Sequence, residues 1–140
     1  MPDITPSMTP QDALLAIMVA VSASDDAIRT SELVAIQRIV GSLPVFEGYD
    51  PDRFRQITQV VFELFEEEDG LDAFFGLVRD ALPERLWETA YALACDVAAA
   101  DGDLDQAELR MLEEVRHELA VDRLHAAAIE RGARARFMRP

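Results

Sequence analysis

Hydrophobic positions recur along this chain at intervals of three and four, and acids, prolines and glycines punctuate the runs. Leu14, Ile17, Met18 and Val21 form the first run, a spacing that gathers them on one face of a helix. Thr9-Pro10-Gln11-Asp12 stands ahead of it. It offers a hydroxyl to cap the first free N–H groups, a proline where no N–H is needed, and an acid in the first turn. The pattern breaks near Ser24-Asp25-Asp26 and resumes at Thr30 or Ser31 with Leu33, Ile36, Gln37 and Val40, until Gly41 to Pro44 end it. Asp50-Pro51 repeats the cap-and-proline signal before a third stripe, Phe54, Ile57, Val60, Val61, Leu64 and Phe65, which Glu66 to Gly70 stop. Leu71 to Leu82 reads as a short helix with Phe74, Phe75 and Val78 inward. Pro83 fits the first turn of the next, which runs through Trp87, Tyr91 and Ala94 to about Ala100. Asp105 caps a further helix with Leu109, Leu112 and Val115 inward, and Val121 to about Arg136 forms the last. The predicted fold class is all-α, about seven helices with no strand. Val60-Val61-Phe62 has strand propensity but sits inside a much longer helical period.

The chain also resembles itself. Slid by 76 positions, Ala16 meets Ala92, Val21 meets Val97, Ala23 meets Ala99, Asp25 meets Asp101, Ile28 meets Leu104, Glu32 meets Glu108 and Leu33 meets Leu109. Each copy is an apolar helix, small residues, an Asp, an aliphatic three later and a Glu seven later. Two related helix-loop-helix units in pseudo-two-fold relation follow, with the middle helices as connector. Ile28 and Leu104 are expected to point inward and pin their loops to the core.

Length changes the picture little: 140 residues, half of them hydrophobic, suit one domain spanning residues 1–140 with residues 1–8 as an N-terminal tail. Charge changes it more. The net charge is −14, which repels nucleic acid and anionic membranes and attracts cations or a basic partner surface. Glu63 to Glu108 holds fourteen acids against two arginines, whereas residues 109–140 hold seven arginines against five acids. The tail arginines Arg131, Arg134, Arg136 and Arg139 suit a helix C-terminus. They are placed to dock on the acidic centre of their own fold or of a second subunit, so a homo-oligomer stays open beside a protein partner. Every basic residue is arginine, which removes the P-loop lysine, Schiff-base lysine and kinase lysine from consideration. Cys95 is the only cysteine, in an apolar helical run where an inert buried thiol is expected. MPDITPSMTP has no basic segment followed by an apolar one, so it is not read as a signal peptide. No uninterrupted apolar stretch of about 18 residues occurs, so no membrane insertion is expected. A cytoplasmic location is the expectation.

The stretch with candidate chemistry is AAADGDLDQAEL, Ala98 to Leu109. Asp101, Asp103 and Asp105 match the first, third and fifth positions of an EF-hand loop, but Gln106 replaces the turn glycine and Leu112 the bidentate acid. A looser oxygen-ligand site for Ca²⁺ or Mg²⁺ is compatible with these carboxylates. Helix capping explains part of the same pattern: Asp105 with Glu108 resembles a capping box, and Gly102 suits a positive φ after a helix. Asp101 fits capping less well, because an acid just past a helix C-terminus faces the negative end of the dipole. Asp25 repeats that placement. His117 and His125 lie eight apart across a helix break at Ala120 without metal-motif company and read as two exposed or half-buried histidines. Trp87 and Tyr91 read as core.

On VSASDDAIRTSEL and VAAADGDLDQAEL, the chain resembles the TerB-like (tellurite resistance) helical domain, whose paired signature has the form A-x-x-D-G-x-I-x-x-x-E. The resemblance runs from about Asp12 to Leu119. It implies a site made of Asp25 and Glu32 from the first copy and Asp101 and Glu108 from the second, to which the loop carboxylates Asp103 and Asp105 are added. The first copy departs from the pattern: Asp26 replaces the glycine, and Arg29 stands where the second copy has Asp105, so Arg29 partly neutralises that half-site. The family implies a small cytoplasmic protein linked to metal or oxyanion stress and does not supply a molecular activity. Read together with the paired acidic loops, the chain is expected to be a non-enzymatic module in tellurite, metal or envelope stress that binds a protein partner, with a divalent cation, Ca²⁺ or Mg²⁺, compatible with its carboxylates. The alternative is a carboxylate-metal-dependent hydrolase, against which stand the missing His or Cys base-nucleophile pair and glycine-rich phosphate loop.

Overall fold

A run as apolar as Asp12–Ser22 has no face to give to water. In the computed structural model, which describes residues 8–24, 28–100, 102 and 106–140, every residue of that run is buried. It belongs to helix α1, Pro10–Ser22. The sequence pattern marks one inward face (Leu14, Ile17, Met18, Val21); the structure corrects this to burial all round. The reason is that Ala13, Leu15, Ala16, Val19 and Ala20 fill the remaining faces, and a helix apolar on every side belongs in the centre of a fold. The predicted start holds: the Thr9 hydroxyl accepts the Asp12 N–H at 3.1 Å, and the Asp12 carboxylate accepts the Thr9 N–H at 3.0 Å.

Six more α-helices follow among the described residues: α2 Thr30–Ser42, α3 Arg53–Phe65, α4 Gly70–Ala81, α5 Trp87–Ala99, α6 Gln106–Glu118 and α7 Arg123–Arg136. There is no strand among the described residues. Three starts differ from expectation. Asp50-Pro51 forms a turn, with the Arg53 and Phe54 N–H groups on the Asp50 and Pro51 carbonyls, so α3 opens at Arg53. Pro83 leads into a 3₁₀ turn, Glu84–Leu86, and α5 opens at Trp87. The last helix opens at Arg123, because Asp122 accepts the N–H groups of Leu124 and His125 as its N-cap.

The repeat is visible as packing. Helices α2 and α6 begin and end 76 positions apart. Helices α1 and α5 pack most extensively on each other; α2 lies against both, and so does α6. Helix α3 packs on α1 as α7 packs on α5. The two units are therefore in the expected pseudo-two-fold relation, but each comprises three helices rather than two. Helix α4 packs on α1 and α3 and connects the units.

Polar ties hold each third helix to its first. Asp12, wholly buried, accepts from Arg53 Nε at 2.8 Å, Arg53 Nη2 at 2.6 Å and the Tyr49 hydroxyl at 2.6 Å. The position 76 later is Glu88, whose carboxylate lies 2.7 Å from His125 Nδ1 on α7. Tyr91 donates to Glu130 at 2.5 Å, and Arg136 pairs with Asp96. That last pair is the tail docking on its own fold. Near the α3–α4 corner, Phe65, Phe74 and Phe75 meet edge to face at 5.5 and 5.1 Å. Gly70 passes so close to the Leu64 carbonyl that a Cβ would stand 1.7 Å from its oxygen.

Candidate functional site

Glu32 and Glu108 hold the same place, the third residue of α2 and of α6. The first turn of a helix favours a carboxylate, because free N–H groups and the positive end of the dipole lie there. That alone would leave the groups in water. Instead Glu32 is 1% exposed and Glu108 is 0% exposed. A carboxylate withdrawn from water is costly unless charge and hydrogen bonds compensate it.

Arg29 links the pair. Its backbone N–H donates to Glu32 Oε1 at 3.4 Å, and its guanidinium Nη1 lies 4.0 Å from Glu108 Oε1. The residue that makes the first copy irregular thus faces the second copy's glutamate as well as its own. The two units thus each set a buried carboxylate against Arg29, one at its backbone N–H and the other at its guanidinium. Carboxylate oxygens are the donors that Ca²⁺ and Mg²⁺ take, so the described half of the site has suitable chemistry, with Arg29 as the resident cation there.

Of the residues expected at the site, Glu32 and Glu108 are described, each buried and each within reach of Arg29. Asp25, Asp101, Asp103 and Asp105 lie outside the described residues, as does Leu104 with its expected inward side chain. Among the described residues no group of three or more His, Cys, Asp or Glu stands ready to hold a metal. Ile28 is half-buried against the core, as its pinning role requires. Gly102 has φ +76°, the positive value expected after a helix. Leu109 departs from expectation: it is 40% exposed instead of inward. Its neighbour Glu108 takes the buried direction, and Leu112 and Val115 carry the core contact.

The remaining candidates are structural. Cys95 is buried, and burial pushes its thiol up to about 12, against a lowering by Tyr91. His125 pairs with Glu88 on the surface. Asp12 was legible only as a first-turn acid; its burial depends on Tyr49 and Arg53, far along the chain, and no local pattern announces that.

No described helix is long and apolar enough to cross a membrane. Comparison with family models matches residues 11–131 to the family described as tellurite resistance protein TerB. No match was found among curated proteins or among solved structures.

Proposed function

Because this chain belongs to the TerB family, with 11–131 of its 140 residues matched, we propose that it is a non-enzymatic module of tellurite, metal or envelope stress. In this reading it binds a protein partner and holds a divalent cation, Ca²⁺ or Mg²⁺, between its two acidic loops. The observation that carries the reading is the convergence of Glu32 and Glu108 on Arg29. Two buried carboxylates from equivalent positions are more than helix capping requires. Asp25 and Asp101, with Asp103 and Asp105, would complete the oxygen donors, each Asp leading into the loop that its Glu closes. The chain's −14 charge supports recruitment of a cation and of a basic partner surface.

The non-enzymatic part rests on the groups best suited to catalysis. The Cys95 thiol, pushed up to about 12, stays protonated and is no nucleophile at neutral pH. The His125 ring, paired with Glu88 at the surface, has no hydrogen bond to a Ser, Thr or Cys side chain among the described residues. A lone buried thiol suits a reducing compartment, so we assign the module to the cytoplasm, with the domain spanning the chain.

Thermal melts in millimolar Ca²⁺ or Mg²⁺ and in chelator test the cation. Wild type should gain up to about 2.7 kcal/mol when the cation is in hundredfold excess over its dissociation constant. The double variant Asp25→Asn, Asp101→Asn should lose that gain while melting almost normally in chelator, since Asn caps nearly as well as Asp. A wild-type melt indifferent to both cations sinks the cation site and leaves a partner-binding helical module.

A further inference from the structure

Arg29 breaks two local rules. It is the N-cap of α2, a position that favours Ser, Thr, Asp or Asn because their side chains accept a free N–H. A guanidinium has no acceptor, and α2 starts without a side-chain cap from it. A positive charge is also unfavourable at the positive end of a helix dipole. The position 76 later is Asp105, a residue type that satisfies both rules. A side chain that weakens its own helix on two counts, yet is kept, points to a compensating contact elsewhere. That contact lies in the other unit: the Arg29 guanidinium stands 4.0 Å from Glu108 Oε1. The two ends differ in setting, for Glu108 is buried while the Arg29 side chain is 36% exposed and lies at the edge of solvent.

We propose that Arg29 is the built-in counter-ion of Glu108 and that it competes with a divalent cation for that carboxylate. A buried carboxylate needs a compensating charge, and Arg29 supplies one without metal. A guanidinium and a metal ion seek the same oxygens, and they repel each other at contact distance. A cation arriving at Glu108 therefore displaces the guanidinium, which turns outward on its long stem into the solvent it already meets. That displacement opposes binding, so Arg29 sets the cation affinity of the site below what its carboxylates alone would give. The exchange of Asp for Arg acts in the same direction. Residues 25–32 hold three acids and Arg29, whereas residues 101–108 hold four acids and no base, so the first loop has one carboxylate fewer and one positive charge more. The backbone N–H of Arg29, which donates to Glu32 Oε1 at 3.4 Å, is kept by any residue at this position other than proline. Substitution here therefore tests the guanidinium by itself.

This inference rests on the cation half of the proposed function and gives Arg29 its part in it. Titration calorimetry of the full chain with Ca²⁺ and with Mg²⁺ reads the competition, and thermal melts in chelator read the counter-ion. Arg29→Gln should bind the cation about tenfold or more tightly than wild type. Arg29→Lys keeps the charge and should stay near wild type. In chelator the order reverses: Arg29→Gln should melt about 3 °C or more below wild type. That deficit should vanish in the Glu108→Gln background, where no carboxylate is left to compensate. Equal or weaker cation binding by Arg29→Gln, beside a wild type that binds, overturns the proposal and leaves the cation site standing. Tightening by Arg29→Lys as large as that by Arg29→Gln overturns it too, as does a chelator deficit that Glu108→Gln does not change. Binding by Arg29→Gln alone would uphold the competition and remove the cation from the native chain. Binding by neither protein removes both.

Discussion

Asp12 carries its charge where no water reaches it. Burial raises its carboxyl, but the Arg53 bonds, the Thr9 N–H and the Tyr49 hydroxyl together outweigh that, and the group lies below its usual value. A carboxyl depressed in the folded state contributes stability that is whole above its unfolded pKa, about 3.9, and is lost as pH falls through the lower folded value. Arg53→Met should therefore cost about 3–5 kcal/mol at neutral pH by stranding the buried charge. The cost should shrink by about pH 3, where the stranded carboxyl is protonated. Urea melts of both proteins at the two pH values measure this; a cost that does not change with pH would contradict it. The same residue shows where sequence reasoning stops. Thr9 and Asp12 are local and their cap was legible, whereas Tyr49 and Arg53 reach Asp12 across 37 and 41 positions, and only the fold supplies that approach.

The boundary at the local Thr9 cap was legible; others drifted where a turn intervened, as at Asp50-Pro51 and Pro83, or where a local cap went unread, as at Asp122. Leu109 misled for another reason: a period of 3.6 residues admits two phases, and the buried Glu108 took the inward one. At the end of α6, the Val121 N–H reaches the Arg116 carbonyl at 3.0 Å and the Ala120 N–H reaches that of His117 at 3.1 Å. This Schellman arrangement puts Ala120 at φ +49°, where glycine is the favoured residue. Ala120→Gly should raise stability by about 0.5–1 kcal/mol, the relief of left-handed strain less the extra freedom of the unfolded chain. Gly70→Ala should move the other way, by about 1–3 kcal/mol or more, because the Leu64 carbonyl leaves no room. Denaturant melts of both variants test the pair; two changes of the same sign would refute this account of the two turns.

At the scale of the molecule, the repeat was the most legible feature, because a constant offset survives divergence of individual residues. The third helix of each unit was not legible as part of it: α3 and α7 share packing positions but little sequence. The equivalence of Glu32 and Glu108 followed from the repeat, while the pairing of Arg29 with the opposite unit depends on the fold. Because α2 and α6 each lie on both α1 and α5, neither unit has a core of its own. Native-state hydrogen exchange should then find the most protected amides of α1 and α5 opening with one common free energy and one denaturant dependence. Two well-separated values would show that the units unfold independently.

The enclosure of α1 has a consequence for how the chain is made. Its lining includes α5 and α6, which are synthesised long after it. Until they emerge from the ribosome, an eleven-residue run from Asp12 to Ser22, wholly buried in the finished protein, has only α2, α3 and α4 to cover part of it. At about 5–20 residues per second, the delay before Gln106–Glu118 is joined lasts on the order of seconds. Throughout that interval the face of α1 that α5 and α6 will cover stays open, and transiently exposed apolar surface of this kind is what chaperones shield.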